Sequence, residues 1–268
     1  MRATGLFNPV PPEIIPGSAL VLGYHPMLVN APEISLVIPV FNEEESLPVL
    51  AVELCAALES TGKSYEILFV DDGSTDGSPR VLGELAKADP RLRLIRLTCN
   101  QGQSPALAAG FRRVRGEVVV TLDSDLQNDP ADIPKLLAAL AGADAVSGVR
   151  VARRDSLTRR LSSRIANRVR NAVIHDGITD VGCSLKAYRA ELVRDLPMFK
   201  GMHRFLPALV QMRGARFVEI PVNHRPRTYG QAKYGIGNRL FRALADLFAV
   251  RWMQTRWIDR RLEEEIEP

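Results

Sequence analysis

The chain has 268 residues, 46% hydrophobic and 25% charged, with 35 Lys and Arg against 31 Asp and Glu. That is globular composition, and it excludes a disordered, fibrous or collagen-like chain. The formal net charge of +4 suits an anionic ligand or an anionic membrane surface without demanding either.

Residues 1–32 carry six prolines, Pro9, Pro11, Pro12, Pro16, Pro26 and Pro32, and read as an irregular N-terminal arm, either packed on the next domain or disordered. The start has no basic stretch followed by an apolar core, so no signal peptide is expected. No apolar run reaches the roughly 18 residues of a membrane-spanning helix. Cys55, Cys99 and Cys183 are far apart, odd in number and lack metal-ligand spacing, which points to a reducing compartment. A cytoplasmic location follows by elimination.

From residue 34 the pattern becomes periodic. Strands are expected at 34–40, 65–70, 92–97, 117–122 and 143–149, each an apolar or β-branched run. Helices are expected between them. Asn42 is read as the cap of the first, with Glu43, Glu44 and Glu45 in its first turn. Leu47, Leu50, Leu54 and Leu58 form its apolar stripe. Others run to about Ala88, from Asn100-Gln101-Gly102 to Val114, and from Asp129-Pro130, where proline suits the first helical position. Such alternation implies an α/β fold with a mainly parallel central sheet and helices on both faces. Each strand ends in polar residues: Asn42 and Glu43, Asp71 and Asp72, Asn100, Asp123 and Asp125, Arg150. In a parallel sheet these ends share one edge, where open α/β sheets bind ligands.

The segment Val-Val-Val-Thr-Leu-Asp-Ser-Asp-Leu-Gln (118–127) organises the rest. Asp123 and Asp125, two apart in extended chain, would face the same way. Carboxylates ending a core strand need a cation. Mg2+ or Mn2+ fits, because such ions take one or two carboxylates and leave the rest of their shell to water and substrate phosphates. The plainer reading is an Asp-rich turn closing a strand; five polar ends converging on one edge favour the site.

Past residue 149 the composition changes. Eight arginines and one acid, Asp155, fall within 150–170, a segment read as a basic helix for an anion or, more plainly, as a solvated face. Residues 180–188 read as a loop entering a short strand, 189–196 and 203–212 as helices and 217–222 as a strand. A basic loop with glycine and proline covers 224–234. Residues 236–253 form an amphipathic helix, extended by Trp257 and Ile258 among arginines and followed by the acidic tail 263–267. Aromatics among arginines suit a membrane interface; packing on the domain or on a second copy is the alternative. No nucleic-acid-binding module surrounds the basic run.

Five motifs in order carry a resemblance: Ile38-Pro39-Val40-Phe41-Asn42-Glu43, Val70-Asp71-Asp72-Gly73-Ser74-Thr75-Asp76, Asn100-Gln101-Gly102, Leu122-Asp123-Ser124-Asp125-Leu126-Gln127, and Arg227-Thr228-Tyr229-Gly230-Gln231-Ala232-Lys233-Tyr234. The sequence resembles family 2 glycosyltransferases of the GT-A fold, and among them the dolichyl and polyprenyl-phosphate sugar transferases. The resemblance implies an arm at 1–32, a GT-A domain at 33–235 and a C-terminal helix and tail at 236–268. It implies inverting transfer from a GDP- or UDP-linked sugar to a polyprenyl phosphate, with Mg2+ or Mn2+ and peripheral membrane contact. Pro39, Asn42, Glu43 and Asp72 would line the nucleotide pocket. Asp123 and Asp125 would bind the metal, with Gln127 beside it. Arg150, with Arg160 or Arg164, would hold the acceptor phosphate, and Arg227 and Lys233 would close over the phosphates. Ala232 stands where family members carry serine. No Glu-Asp pair supplies a base late in the domain, which suits a phosphate acceptor already ionised at neutral pH. The alternatives are a hydroxyl acceptor with Asp180 as base, or a non-catalytic nucleotide-sugar-binding module.

Overall fold

The computed structural model describes residues 31–151, 167–197, 199–226 and 239–258, without the side chains of 239–243. The N-terminal arm, much of the basic segment, the 227–234 loop and the acidic tail lie outside the described residues.

Among the described residues seven strands form one sheet in the order β3-β2-β1-β4-β6-β5-β7. They are β1 (Ile34–Val40), β2 (Tyr65–Asp71), β3 (Leu92–Arg96), β4 (Val118–Thr121), β5 (Ala145–Arg150), β6 (Lys186–Arg189) and β7 (Phe217–Val222). β1 and β2 are buried along almost their whole length, as expected of central strands covered on both faces. All neighbours pair in parallel except β6, which runs antiparallel to both β4 and β5. The first five strands therefore point the same way, and their polar ends do share one edge. The sheet is mostly parallel, as expected, but β6 is inserted in reverse, so its first residue, Lys186, lies at that same edge.

The helices are α1 (Leu47–Glu59), α2 (Ser78–Ala88), α3 (Gln103–Phe111), α4 (Ile133–Leu140), α5 (helical through 167–174), α6 (Ala190–Arg194), α7 (Leu206–Met212) and α8 (Arg239–Arg256). Side-chain alternation along β1 sends Leu36 and Ile38 to a core with Leu50 and Leu54 of α1 and Leu136 of α4. Val37 points to the opposite core, with Ala106 of α3, Leu209 of α7 and Leu247 of α8.

Two expectations at the site edge need correction. α1 starts at Leu47, not after Asn42. Asn42 takes a left-handed φ of 53°, and its amide is spent across the loop: its Oδ1 accepts from Thr75 N–H at 2.8 Å. Glu43–Glu45 therefore lie in a turn ahead of the helix. β4 ends at Thr121, so the Asp pair sits on a bent loop rather than on extended strand.

Candidate active site

The loop after β4 carries the two carboxylates. Asp123 N–H donates to Ser184 Oγ (3.1 Å), and Ser184 Oγ donates to Asn128 Oδ1 (2.6 Å). Thr121 Oγ1 donates to the Ser184 carbonyl at 2.9 Å. One serine of the loop before β6 thus pins both ends of 121–128. Gln103 Nε2, at the start of α3, donates to Asp123 Oδ1 at 2.7 Å. Gln127 N–H donates to Asp125 Oδ1 at 3.2 Å. Leu126 between them holds a φ of 60°, a conformation that costs a branched residue and persists only where its surroundings enforce it.

The electrostatics fit a cation. Burial, then the charge of Asp125, push the Asp123 carboxyl up to about 6. Two carboxylates that repel each other in a half-closed site form a donor set for a hard divalent ion. Among the described residues no third His, Cys, Asp or Glu joins them, so the rest of such an ion's shell would fall to substrate and water.

On one side lie the loops after β1, β2 and β3. Asp72 N–H donates to the Val40 carbonyl (2.8 Å), which ties the ends of β1 and β2. The Asp72 carboxylate accepts from Asn100 Nδ2 (3.0 Å), Gln101 N–H (2.8 Å) and Gly102 N–H (2.7 Å). Burial nonetheless raises its pKa, with the two backbone donors opposing the rise. Gly73 is required here: it has a φ of 70°, and a Cβ would stand 2.6 Å from Asn100 N. Glu43 is buried and its N–H donates to Ser78 Oγ at 2.9 Å. Ser46 Oγ lies 2.8 Å from the Ser124 carbonyl, linking this wall to the Asp pair.

On the other side lie β5, β6 and the loop between 180 and 185. Arg150 at the end of β5 is bound by Asp180 through Nε and Nη2, both at 2.8 Å. Lys186 pairs across the sheet with Thr121 and Ser147. Its ammonium donates to the Cys183 carbonyl and feels the charges of Asp123 and Asp180, while burial lowers its pKa. Behind the Asp loop, Arg225 N–H donates to the Gln127 carbonyl (2.8 Å), and its guanidinium bridges Glu53 and Asp129, each at 2.7 Å.

Pro39, Asn42, Glu43, Asp72, Asp123, Asp125, Gln127 and Arg150 thus all lie at the polar edge. Arg160, Arg164, Arg227 and Lys233 lie outside the described residues. Asp180 is held by Arg150 rather than poised alone. Sequence reasoning missed Gln103, Ser184 and Lys186. Only Lys186 left a signal, as a lysine inside the otherwise apolar run 185–188.

Comparison with known proteins places the chain in a family. The family model for glycosyl transferase family 2 matches residues 35–196, more than half of the chain. Two solved structures share the fold. One is a mannosyltransferase from Pyrobaculum calidifontis in complex with GDP-Man and Mn2+, at 23% identity and a TM-score of 0.55. That match covers 84% of this chain and only 63% of that one. The other is glucosyl-3-phosphoglycerate synthase from Mycobacterium tuberculosis in complex with Mn2+, UDP-Glc and phosphoglyceric acid. There the identity is 18%, the TM-score 0.60, and the coverage 85% of this chain and 81% of that one. The protein belongs to glycosyl transferase family 2.

Proposed function

We propose that this glycosyltransferase moves a sugar from a nucleoside diphosphate onto a polyprenyl phosphate, with Mg2+ or Mn2+ on Asp123 and Asp125. The observation that carries the acceptor assignment is the state of Asp180. Both its oxygens face the Arg150 guanidinium, so the one carboxylate suited by sequence to act as a base is engaged by a cation. A hydroxyl acceptor needs a base; a phosphate acceptor is already anionic.

Each residue then has a task. Glu43 and Asp72, with Pro39 and Asn42, hold the base and ribose. Asp123 and Asp125 hold the divalent ion, which when bound supplies positive charge to the leaving diphosphate. Gln103 and Ser184 keep Asp123 aimed. Lys186 adds a buried positive charge beside Asp123. Arg150, with Arg160 or Arg164, orients the acceptor phosphate for attack from the opposite face of the sugar, and Arg227 and Lys233 close over the phosphates. Arginine suits phosphate because its guanidinium carries five N–H donors, of which Asp180 takes two on Arg150 and leaves the others for an acceptor oxygen. Catalysis is then mainly positioning and charge stabilisation.

α8 supports a lipid-side location. Its inner face is anchored by Leu247 and Val250, whereas Phe248 and Trp252 are about two-thirds exposed, at 63% and 64%. Arg251 and Arg256 are exposed on the same helix, so the outer side combines aromatics with cations. Among the described residues no helix is long and apolar enough to cross a membrane.

The test is a partition assay. Purified protein with Mn2+ or Mg2+ and a polyprenyl phosphate is given each radiolabelled GDP- or UDP-sugar in turn. Label entering the organic phase, and blocked by EDTA, is the expected result. Nucleotide release with all label left in water would move the acceptor to a hydroxyl. No turnover with any donor would put the nucleotide-sugar-binding module first.

A further inference from the structure

The chain leaving β7 runs back along the Asp loop. Asn223 N–H donates to Asp132 Oδ2 (2.6 Å), His224 pairs with Asn128 in an antiparallel bridge, and Arg225 N–H donates to the Gln127 carbonyl (2.8 Å). Three successive residues thus grip the segment 127–132.

The Arg225 side chain ties this junction to the body of the domain. Its Nη1 donates to Glu53 Oε2 of α1 and its Nη2 to Asp129 Oδ1, both at 2.7 Å. Asp129 Oδ1 also accepts from Ala131 N–H at 3.1 Å, which starts the turn ahead of α4. A guanidinium is planar, with donors in fixed directions, so one side chain spans both acids.

Gln127 is where that grip reaches the metal pair. Its carbonyl accepts from Arg225, and its N–H donates to Asp125 Oδ1 at 3.2 Å. Leu126, between Asp125 and Gln127, stands at a φ of 60°, which persists only under constraint from its neighbours. Turning the peptide groups of Gln127 would relax Leu126 and break the bond to Asp125. The Ser184 bonds do not prevent this, because they end on Asp123 and Asn128.

We propose that Arg225 is a positioning residue for the metal site: by bridging Glu53 and Asp129 it holds Gln127, whose N–H keeps the Asp125 carboxylate in place to bind the divalent ion. The inference rests on the metal assignment above and deepens it. The guanidinium is engaged by two acids behind the loop, so Arg225 acts through Gln127 rather than on substrate.

The experiment is Mn2+ titration of the full chain by electron paramagnetic resonance, with saturating UDP or GDP, comparing wild type with R225M. Methionine keeps an unbranched stem and removes the donors. Mn2+ should bind about tenfold more weakly in R225M, the scale on which groups that orient metal ligands act. Nucleotide affinity in EDTA should stay at the wild-type value, because the wall built by the loops after β1, β2 and β3 is untouched. Wild-type Mn2+ affinity, or a matching loss of metal-free nucleotide binding, would overturn the assignment. Should R225M not fold, E53Q leaves the Asp129 pair intact and should weaken Mn2+ about threefold by the same measurement; no change in E53Q would count against the bridge. Hydrogen exchange in metal-free protein gives a readout without the ion. The backbone N–H of Gln127 should exchange about tenfold faster in R225M, while that of Asp123, bound to Ser184, keeps its rate. An unchanged Gln127 rate, or equal acceleration of both, would refute the role of Arg225. If D125N binds Mn2+ as the wild type does, the metal assignment fails instead, and the Gln127 rate still decides whether Arg225 holds that residue.

Discussion

Asp123 is costly to keep ionised. An ordinary aspartate titrates near 3.8, whereas burial and Asp125 raise this one to about 6. Between those values the folded chain binds more protons than the unfolded one. Its contribution is fully stabilising below about pH 4 and is lost as pH rises through about 6, an effect of at most about 3 kcal/mol. Metal-free D123N should therefore unfold at higher urea than wild type at pH 8, with the advantage gone near pH 4. A constant offset across that range would show that desolvation of Asp123 is not the cause. Asp125→Ala, which removes one of the two carboxylates proposed to hold the metal, should abolish metal-dependent turnover; near-normal turnover would dismiss the assignment. The Asp pair was legible in sequence because an apolar run ends abruptly in two acids. Gln103 and Ser184 were not, since each acts through a bond to a residue 20 and 61 positions away. Ordinary polar side chains in local sequence give no hint of such partners.

Elements fix the site through their ends. The loop after β2 works because Gly73 adopts a left-handed φ against the backbone of Cys99 and Asn100. Gly73→Ala combines a strained φ with a clash against backbone that cannot swing away. It should cost about 1–3 kcal/mol in denaturant unfolding and weaken GDP or UDP binding. Wild-type stability together with wild-type nucleotide affinity would contradict this. Strand periodicity gave six of the strands within a few residues, β7 among them at 217–222, because each is an apolar or β-branched run, and the short strand expected at the end of 180–188 is β6. The start of α1 was misread for a specific reason. Asn42 followed by three glutamates has the composition of a helix start, but Asn42 binds the 74–75 turn and the chain bends before the helix begins. The reversal of β6 was equally hidden: four strand residues do not encode direction, yet that direction is what carries Lys186 to the edge that holds Asp123 and Asp125.

At the scale of the whole molecule, the two halves of the sheet divide the labour. The ends of β1, β2 and β3 frame Asp72, and the ends of β5 and β6 frame Arg150 and Lys186, with the loop after β4 between them. α8 closes one core through Leu247 and Val250 and leaves Phe248 and Trp252 outward. If that face meets lipid, W252S should lower co-sedimentation with vesicles containing anionic lipid while leaving nucleotide affinity unchanged; undiminished sedimentation would rule the face out. The composition and the amphipathic pattern pointed to this helix from sequence. Its exposed face appears only once the inner residues are seen packed.

The most direct test of the account is Mn2+ binding by electron paramagnetic resonance, with UDP and then GDP present, since it needs neither the acceptor nor the sugar. The prediction is that the full-length protein immobilises Mn2+ together with one of the two nucleotides, and that D125N loses this at equal protein concentration. Unchanged Mn2+ and nucleotide binding in D125N would contradict the claim that Asp123 and Asp125 are the metal–diphosphate site.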